Sequence, residues 1–401
     1  MNVRPHRAWC EIDLEAISGN LDAIRSRLAP GVRVMAVLKA DAYGHGAIPV
    51  AWQLVRSGID MIGVGDSREA IELRRVGIGV PILILGAIIE GEVERVVAYD
   101  IATSIHSTER IRKLSEEGHR QRRPVRVHLN VDTGMGRLGV GPAKALELAR
   151  EIAEQRSLHL EGLYTHLSSV DGEIDPFTAE QLRLFRQTVA TLEAEGLRIP
   201  VKHVSSSAAV FAEAGTDYDL VRPGLALFGL LPGEGQSDTL RPALDFRTQI
   251  VFLKDVPAGA PIGYHRRFVT QRPTRVATLP VGYNDGLSCN LGNCGHVLVR
   301  GQTAPIIGAI SMDYTTVDVT DIRGVRPGDV VTLIGRDGKQ RITASDIARQ
   351  AGTITYEVLC SIGKRVQRDY KTRESASSIS PIDGWIEEPG AWTEAAEGGA
   401  V

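Results

Sequence analysis

Residues 34–46 read VMAVLKADAYGHG. The apolar run Val34–Leu38 has the character of a buried strand, yet it ends on Lys39, a side chain that almost never lies buried without a partner. Runs of the same kind recur along the chain as DMIGVG (60–65), PILILG (81–86), IATSIH (101–106), VRVHLNVD (125–132), LEGLYTHL (160–167), VKHVSSS (201–207) and LALFGL (225–230). Stretches with helical periodicity lie around and between them. AISGNLDAIRSRL (16–28) places Ile17, Leu21, Ile24 and Leu28 on one face, and AKALELAREIAEQ (143–155) and AEQLRLFRQTVATLEAEG (179–196) are patterned alike. Strands that alternate with helices imply parallel pairing, because parallel neighbours need a crossover connection. About eight such units in roughly 230 residues match an eight-stranded β/α barrel, with a doubly wound sheet as the alternative.

The pattern changes near residue 240. RTQIVFLKDV (247–256), TRVATLPVGY (274–283), HVLVRG (296–301) and DVVTLIG (329–335) are β-rich and separated by Gly- and Pro-rich turns. The expected architecture is therefore an N-terminal (β/α)8 TIM-type barrel over residues 1–240 and a C-terminal mainly-β domain over 241–372. Residues 373–401 are small, acidic and aperiodic and read as a flexible tail, with Trp385 and Trp392 able to dock on a surface.

Composition narrows the function. The 401 residues are 43% hydrophobic, enough for a large core. Lysine and arginine total 46 against 49 acidic residues, a net charge of −3 with no basic stripe, which points away from nucleic acid and membrane surfaces and towards a small-molecule ligand. The N-terminus lacks the apolar segment of a secretory signal, and no run approaches the roughly 18 apolar residues of a membrane span, so a cytoplasmic location is expected. Cys10, Cys289, Cys294 and Cys360 are too scattered for a disulfide framework or a zinc site; free thiols and no metal are expected.

In a parallel barrel the chemistry sits at the C-terminal ends of the strands, where the first strand delivers Lys39. A strand-end lysine that merely snorkels to solvent is the ordinary alternative. The following Asp41-Ala-Tyr-Gly-His-Gly46 argues against it, since its glycines permit a tight turn that would hold Tyr43 and His45 near the ammonium. An amine so placed can form a Schiff base with a carbonyl cofactor.

AVLKADAYGHG (36–46) closely resembles the pyridoxal-phosphate attachment motif of the bacterial alanine racemase family. DTGMGRLG (132–139), THLSS (165–169), VRPGLALFG (221–229), LPVGYNDG (279–286), ISMDYTTVDV (310–319) and TITYEVLCSIGKRV (353–366) resemble its later motifs, in its order. The resemblance spans roughly residues 6–370. It implies an isomerase that interconverts L- and D-alanine with pyridoxal 5'-phosphate and supplies D-alanine for peptidoglycan. It also implies a head-to-tail homodimer whose active sites lie at the interface.

Carried over position by position, Lys39 would hold the cofactor and act as the base on one face. Tyr43, Ser207, Gly224 and Tyr356 would contact the phosphate. Arg222 would face the pyridine nitrogen, where a guanidinium can donate a hydrogen bond but cannot readily give up its proton. Tyr264, in PIGYHRRF (261–268), matches the second base, assisted by His166 and Arg222. Arg137 would bind the substrate carboxylate and the cofactor's phenolic oxygen, Met312 would offer its backbone amide to that carboxylate, and Tyr283 would line the mouth. Tyr264, Met312 and Asp313 would come from the other subunit.

Three positions depart from the family pattern. Asn130 stands where many members carry a carbamylated lysine, so an anion such as chloride is expected beside Arg137. His265-Arg266-Arg267 follow Tyr264 where a glycine is usual. SCNLGNCGH (288–296) is longer and richer in cysteine than usual, and Ser311 replaces a common cysteine. The alternatives are a serine or broad-specificity racemase of the same family, a barrel-type amino-acid decarboxylase, and a non-catalytic pyridoxal-phosphate-binding protein. A decarboxylase should place an acidic residue on the pyridine nitrogen where Arg222 stands.

Overall fold

A computed structural model describes residues 6–170, 174–232 and 237–372. The expected tail, with Trp385 and Trp392, lies outside the described residues. The chain opens with β1 (Ala8–Asp13) and a helix (Leu14–Arg25), then enters a closed parallel barrel. Its strands are β2 (Arg33–Val37), β3 (Met61–Val64), β4 (Ile82–Ile84), β5 (Ala102–Ile105), β6 (Val125–Asn130), β7 (Leu158–Tyr164), β8 (Val201–Ser206) and β9 (Leu220–Arg222). Closure is made by β9 against β2, with Arg33 opposite Leu220 and Val34 opposite Val221.

Seven of the eight strand runs sit where the periodicity places them. The eighth differs: LALFGL is not a strand. The barrel closes on the short run Leu220–Arg222, and Leu225–Phe228 forms a 3-10 turn buried on every side. A short apolar run that is buried all round has no period to betray its conformation.

The inside of the barrel is layered. Met35, Met61, Leu83, Ala102, Val201 and Leu220, from the starts or middles of their strands, form an apolar plug apart from the main core. Above it the interior turns polar, with Ser104, His128, His203 and Arg222 all buried. The functional end is thus the C-terminal end, as the fold requires.

The larger sheet of the second region runs, in spatial order, Gln302–Pro305, His296–Val299, Val330–Asp337, Leu244–Gln249, β1 and Gln367–Lys371. β1 pairs antiparallel with Leu244–Gln249 and parallel with Gln367–Lys371. Residues 8–13, which the periodicity leaves in the barrel segment, therefore belong to the other sheet. The run 247–256 divides into Leu244–Gln249 and Phe252–Val256, strands of different sheets. Helices Ala344–Ala351 and Thr355–Cys360 bring Tyr356 over the barrel mouth. One apolar cluster runs through both regions, so their relation is set by packing. No helix among the described residues is long and apolar enough to cross a membrane.

Candidate active site

Lys39 stands two residues after the end of β2. The Leu38 amide still bonds the Gly63 carbonyl at 2.8 Å, and then the chain winds the wrong way: Ala40, Asp41, Ala42 and Tyr43 have φ of 54°, 53°, 54° and 53°. A left-handed turn costs L-residues roughly 1–2 kcal/mol each, so it persists only where its surroundings over-determine it. Here they do. Glu69 accepts from the Ala40 amide at 2.6 Å and from the Gly65 amide at 2.8 Å, while Asp41 accepts from the Ala47 amide at 2.7 Å. Gly44 and Gly46, at φ 77° and 92°, end the turn, and a Cβ on either would overlap Leu359 or Tyr370. Arg368 holds the Gly44 carbonyl at 3.2 Å from the C-terminal side. His45 does not sit beside the ammonium as its sequence position suggests. It is fully buried, stacked on Phe228 at 4.2 Å, with Nδ1 at 3.1 and 3.0 Å from the carbonyls of Ala42 and Tyr43, and so braces the turn from behind.

The turn faces a cavity of about 410 Å³ whose walls include Lys39, Tyr43, Arg137, His166, Ser207, Arg222, Gly224 and Tyr356. The Lys39 amine opens on this cavity, and the protein around it, aided by Arg137, lowers its pKa from the ordinary lysine value. The donors needed for a phosphate meet at one end. Ser207 follows β8 and accepts from the amides of Gly224 and Ala226 at 2.9 and 3.1 Å, leaving its own O–H without an acceptor among the described residues. Tyr43 and Tyr356 are neighbours, with ring centroids 5.7 Å apart, and burial raises both phenol pKa values so that each keeps its proton to donate. At Gly224 a Cβ would overlap the Tyr43 hydroxyl, which requires bare backbone there. This set of hydroxyls and bare backbone, beside an amine, fits the phosphate and the aldehyde of pyridoxal phosphate.

Arg222, at the end of β9, is 4% exposed. It donates to the carbonyls of Thr165 and Val204 at 2.8 Å each, to His203 Nδ1 at 2.9 Å and to His166 Nδ1 at 3.3 Å. Burial pulls its pKa down to about 10, which still leaves it a cation at neutral pH. Because His166 Nδ1 accepts from a guanidinium, the proton of the neutral ring is on Nε2. Burial first, and Arg222 second, push the His166 pKa down to about 3.

These buried imidazoles predict an acid limb in stability. His45 falls to about 4 and His166 to about 3, each from an ordinary 6.5. As pH drops below about 6.5 the unfolded chain takes up protons that the native protein refuses, so stability declines from there towards about pH 4 and below. Carboxylates add little above about pH 5. The urea midpoint should fall between pH 6.5 and 5; a flat midpoint across that window would show that the rings are not held neutral.

The other four predicted positions lie elsewhere. Tyr264, Tyr283 and Met312 are 67%, 45% and 52% exposed on the β region, and none of them, nor Asp313, lines the cavity of its own chain. Tyr283, Met312 and Asp313 are grouped all the same. The amides of Tyr283 and Asn284 bond the carbonyls of Ser311 and Met312 at 3.0 and 3.3 Å, and Asp313 pairs with Arg365 at 2.7 Å. Tyr264 opens a tight turn in which Gly263, His265 and Arg266 have φ of 71°, 56° and 51°. The left-handed backbone at His265 explains why a glycine is usual there. The unusual loop 288–296 braces this turn, since Asn293 donates to the Arg267 carbonyl at 3.0 Å.

Glu69, His203, Tyr164 and Arg368 support the site without having been singled out in the sequence. Glu69 had a visible signal, because it stands three residues after the N-cap Asp66 of its helix. His203 and Tyr164 could have been found by strand alternation, which points both into the barrel. Asn130 is buried and lines the cavity beside Asp132 and Arg137.

Residues 12–232 match the family of the alanine racemase N-terminal domain, and residues 243–370 match that of the alanine racemase C-terminal domain. The alanine racemase of Halothermothrix orenii is 42% identical over 376 residues, which cover 93% of this chain and 99% of that protein. Among solved structures, the alanine racemase of D-cycloserine-producing Streptomyces lavendulae is similar with a TM-score of 0.88 at 35% identity, covering 92% of this chain and 98% of that one. The alanine racemase of Bartonella henselae, solved with covalently bound pyridoxal phosphate, is similar with a TM-score of 0.83 at 30% identity over 92% of this chain and 100% of that one.

Proposed function

The chain belongs to the alanine racemase family of isomerases that interconvert L- and D-alanine, and on that premise we propose a two-base, pyridoxal-phosphate-dependent mechanism using Lys39 and Tyr264 in a homodimer. The observation that carries this reading is the cavity at the barrel mouth, which gathers an amine, phosphate donors and a buried arginine.

Lys39 would hold the cofactor covalently, while Tyr43, Ser207, Gly224 and Tyr356 bind its phosphate and Arg222 faces its ring nitrogen. When bound, the cofactor supplies an electron sink that acidifies the substrate's Cα–H bond. Arg222 keeps that sink weak, because it donates to the ring nitrogen without transferring its proton. A weak sink limits competing decarboxylation and transamination, and an arginine at this place disfavours the decarboxylase reading. Lys39 Nζ, with its pKa already lowered by the protein around it and by Arg137, takes or returns the proton on one face. The Tyr264 phenol of the second subunit does the same on the opposite face. His166, with its Nε2 proton available, stabilises that phenol's oxygen when it is ionised. Arg137 and the Met312 amide hold the substrate carboxylate, Asp313 stands beside Met312, and Tyr283 lines the mouth.

Support for the shared site comes from Tyr264, Tyr283 and Met312, large side chains that stand exposed on the β region and outside the cavity of their own chain. The D-alanine formed would serve peptidoglycan synthesis in the cytoplasm.

The direct test is circular dichroism of L-alanine with protein and cofactor. The signal should decay to zero, with no gas or amine released, and should reach the same end point from D-alanine. A constant signal, or release of carbon dioxide, would refute the reading.

A further inference from the structure

The polar half of the barrel contains a chain of hydrogen bonds that the mechanism above does not use. Arg222 donates to His203 Nδ1 at 2.9 Å, His203 Nε2 lies 2.8 Å from His128 Nδ1, and His128 Nε2 lies 3.2 Å from Glu161 Oε2. A guanidinium can only donate, and this sets the direction of every later bond. With Nδ1 accepting, neutral His203 carries its proton on Nε2 and gives it to His128 Nδ1. Neutral His128 then carries its own on Nε2 and gives it to the Glu161 carboxylate. Burial holds both imidazoles below the ordinary histidine pKa, and the His128 bond lowers that of Glu161. The donors therefore run one way from a buried cation to a carboxylate.

The backbone is built around this chain. Opposite Val127 and His128 the pairing of β7 slips, with Leu160 facing Val127 and Gly162 facing His128, so Glu161 is the extra residue of a bulge. A Cβ on Gly162 would overlap the His128 ring, so the ring fits only over a glycine. Tyr164 stacks on His203 with centroids 4.8 Å apart and is itself fixed by Ser104 at 2.7 Å. Apart from His203 and the Tyr164 ring, which its guanidinium faces at 5.3 Å, Arg222 meets only carbonyls and the neutral His166, so no carboxylate among the described residues pairs with it directly. A buried cation of this kind needs compensation.

We propose that Glu161 is a positioning residue that acts as the counter-charge of Arg222 through His203 and His128, and so tempers how strongly Arg222 donates to the cofactor's ring nitrogen. This rests on the assignment of Arg222 to that nitrogen. Glu161 is 19% exposed in its side chain and lies below the cavity, so it touches neither substrate nor cofactor.

The test uses holoenzyme with 15N-labelled histidine. The signals of His128 and His203 should both be those of neutral rings protonated on Nε2. Glu161→Gln keeps an acceptor for His128 and removes only the charge. It should shift the signals of both histidines. It should also move the visible band of the bound cofactor to longer wavelength, because an uncompensated Arg222 draws electron density towards the ring nitrogen. Gly162→Ala, which displaces His128 while retaining Glu161, should reproduce the shift of the band. The proposal fails if either ring is an imidazolium or carries its proton on Nδ1, or if Glu161→Gln moves His128 alone and leaves His203 and the band in place. Because the histidine signals are read without turnover, loss of alanine racemisation with an intact chain would refute the proposed function and not this relay.

Discussion

Lys39→Ala should leave a folded protein that still binds pyridoxal phosphate weakly, shows no visible band of a covalent link, and racemises alanine on the order of 10⁴-fold more slowly or not at all. The size of the loss follows from the two roles proposed for one amine. An ordinary lysine near pKa 10.4 is about one part in 10³ neutral at pH 7, so a lysine that serves as base must be helped to lose its proton. Here the protein around Lys39 and the neighbouring Arg137 lower its pKa. The hydroxyls proposed to bind the phosphate, on Tyr43, Ser207 and Tyr356, do not depend on Lys39, which is why weak binding survives. Lys39→Arg should be as inactive as the alanine variant, because a guanidinium neither forms the link nor deprotonates. Absorbance after gel filtration, and circular dichroism of L-alanine, check both parts. Turnover within tenfold of the parent in Lys39→Ala would remove Lys39 from the mechanism.

The sequence shows Lys39 plainly because its neighbours carry conformational information. An apolar strand, a strand-end charge and two glycines at fixed offsets leave few ways to fold. The barrel was legible for a similar reason, since seven strands are flanked by amphipathic helices. What escaped was decided by contacts distant in sequence. β1 reads like any strand, and only its pairing with residues 244–249 and 367–371 assigns it to the second sheet. Ala40 and Ala42 have little preference for left-handed backbone, and their turn exists because Glu69, Leu359, Arg368 and Tyr370 close on it. His45 looked like a site residue by proximity, yet a histidine six residues after a strand-end lysine can as well point into the core.

Tyr264→Phe should keep the visible band of the bound cofactor, since the oxygen it removes is not among the proposed phosphate donors, and should lose racemisation by roughly 10³-fold or more. Its more decisive use is in combination. Within one chain Tyr264 is 67% exposed and outside the cavity that Lys39 lines, so a composite site needs a second copy. In a two-fold dimer the same patch of each subunit faces the other's cavity. A heterodimer of one Lys39→Ala subunit and one Tyr264→Phe subunit then contains one site with both bases and one with neither. Dissociating and reassociating equal amounts of the two inactive variants gives half heterodimers, each with one working site of two, so activity should return to roughly a quarter of the parent's. If each chain instead supplied both of its own bases, every site in the mixture would lack one of them and no activity would return. Recovery therefore tests the second base and the shared interface together. A mixture that stays inactive, while sedimentation shows that heterodimers have formed, would place the second base elsewhere.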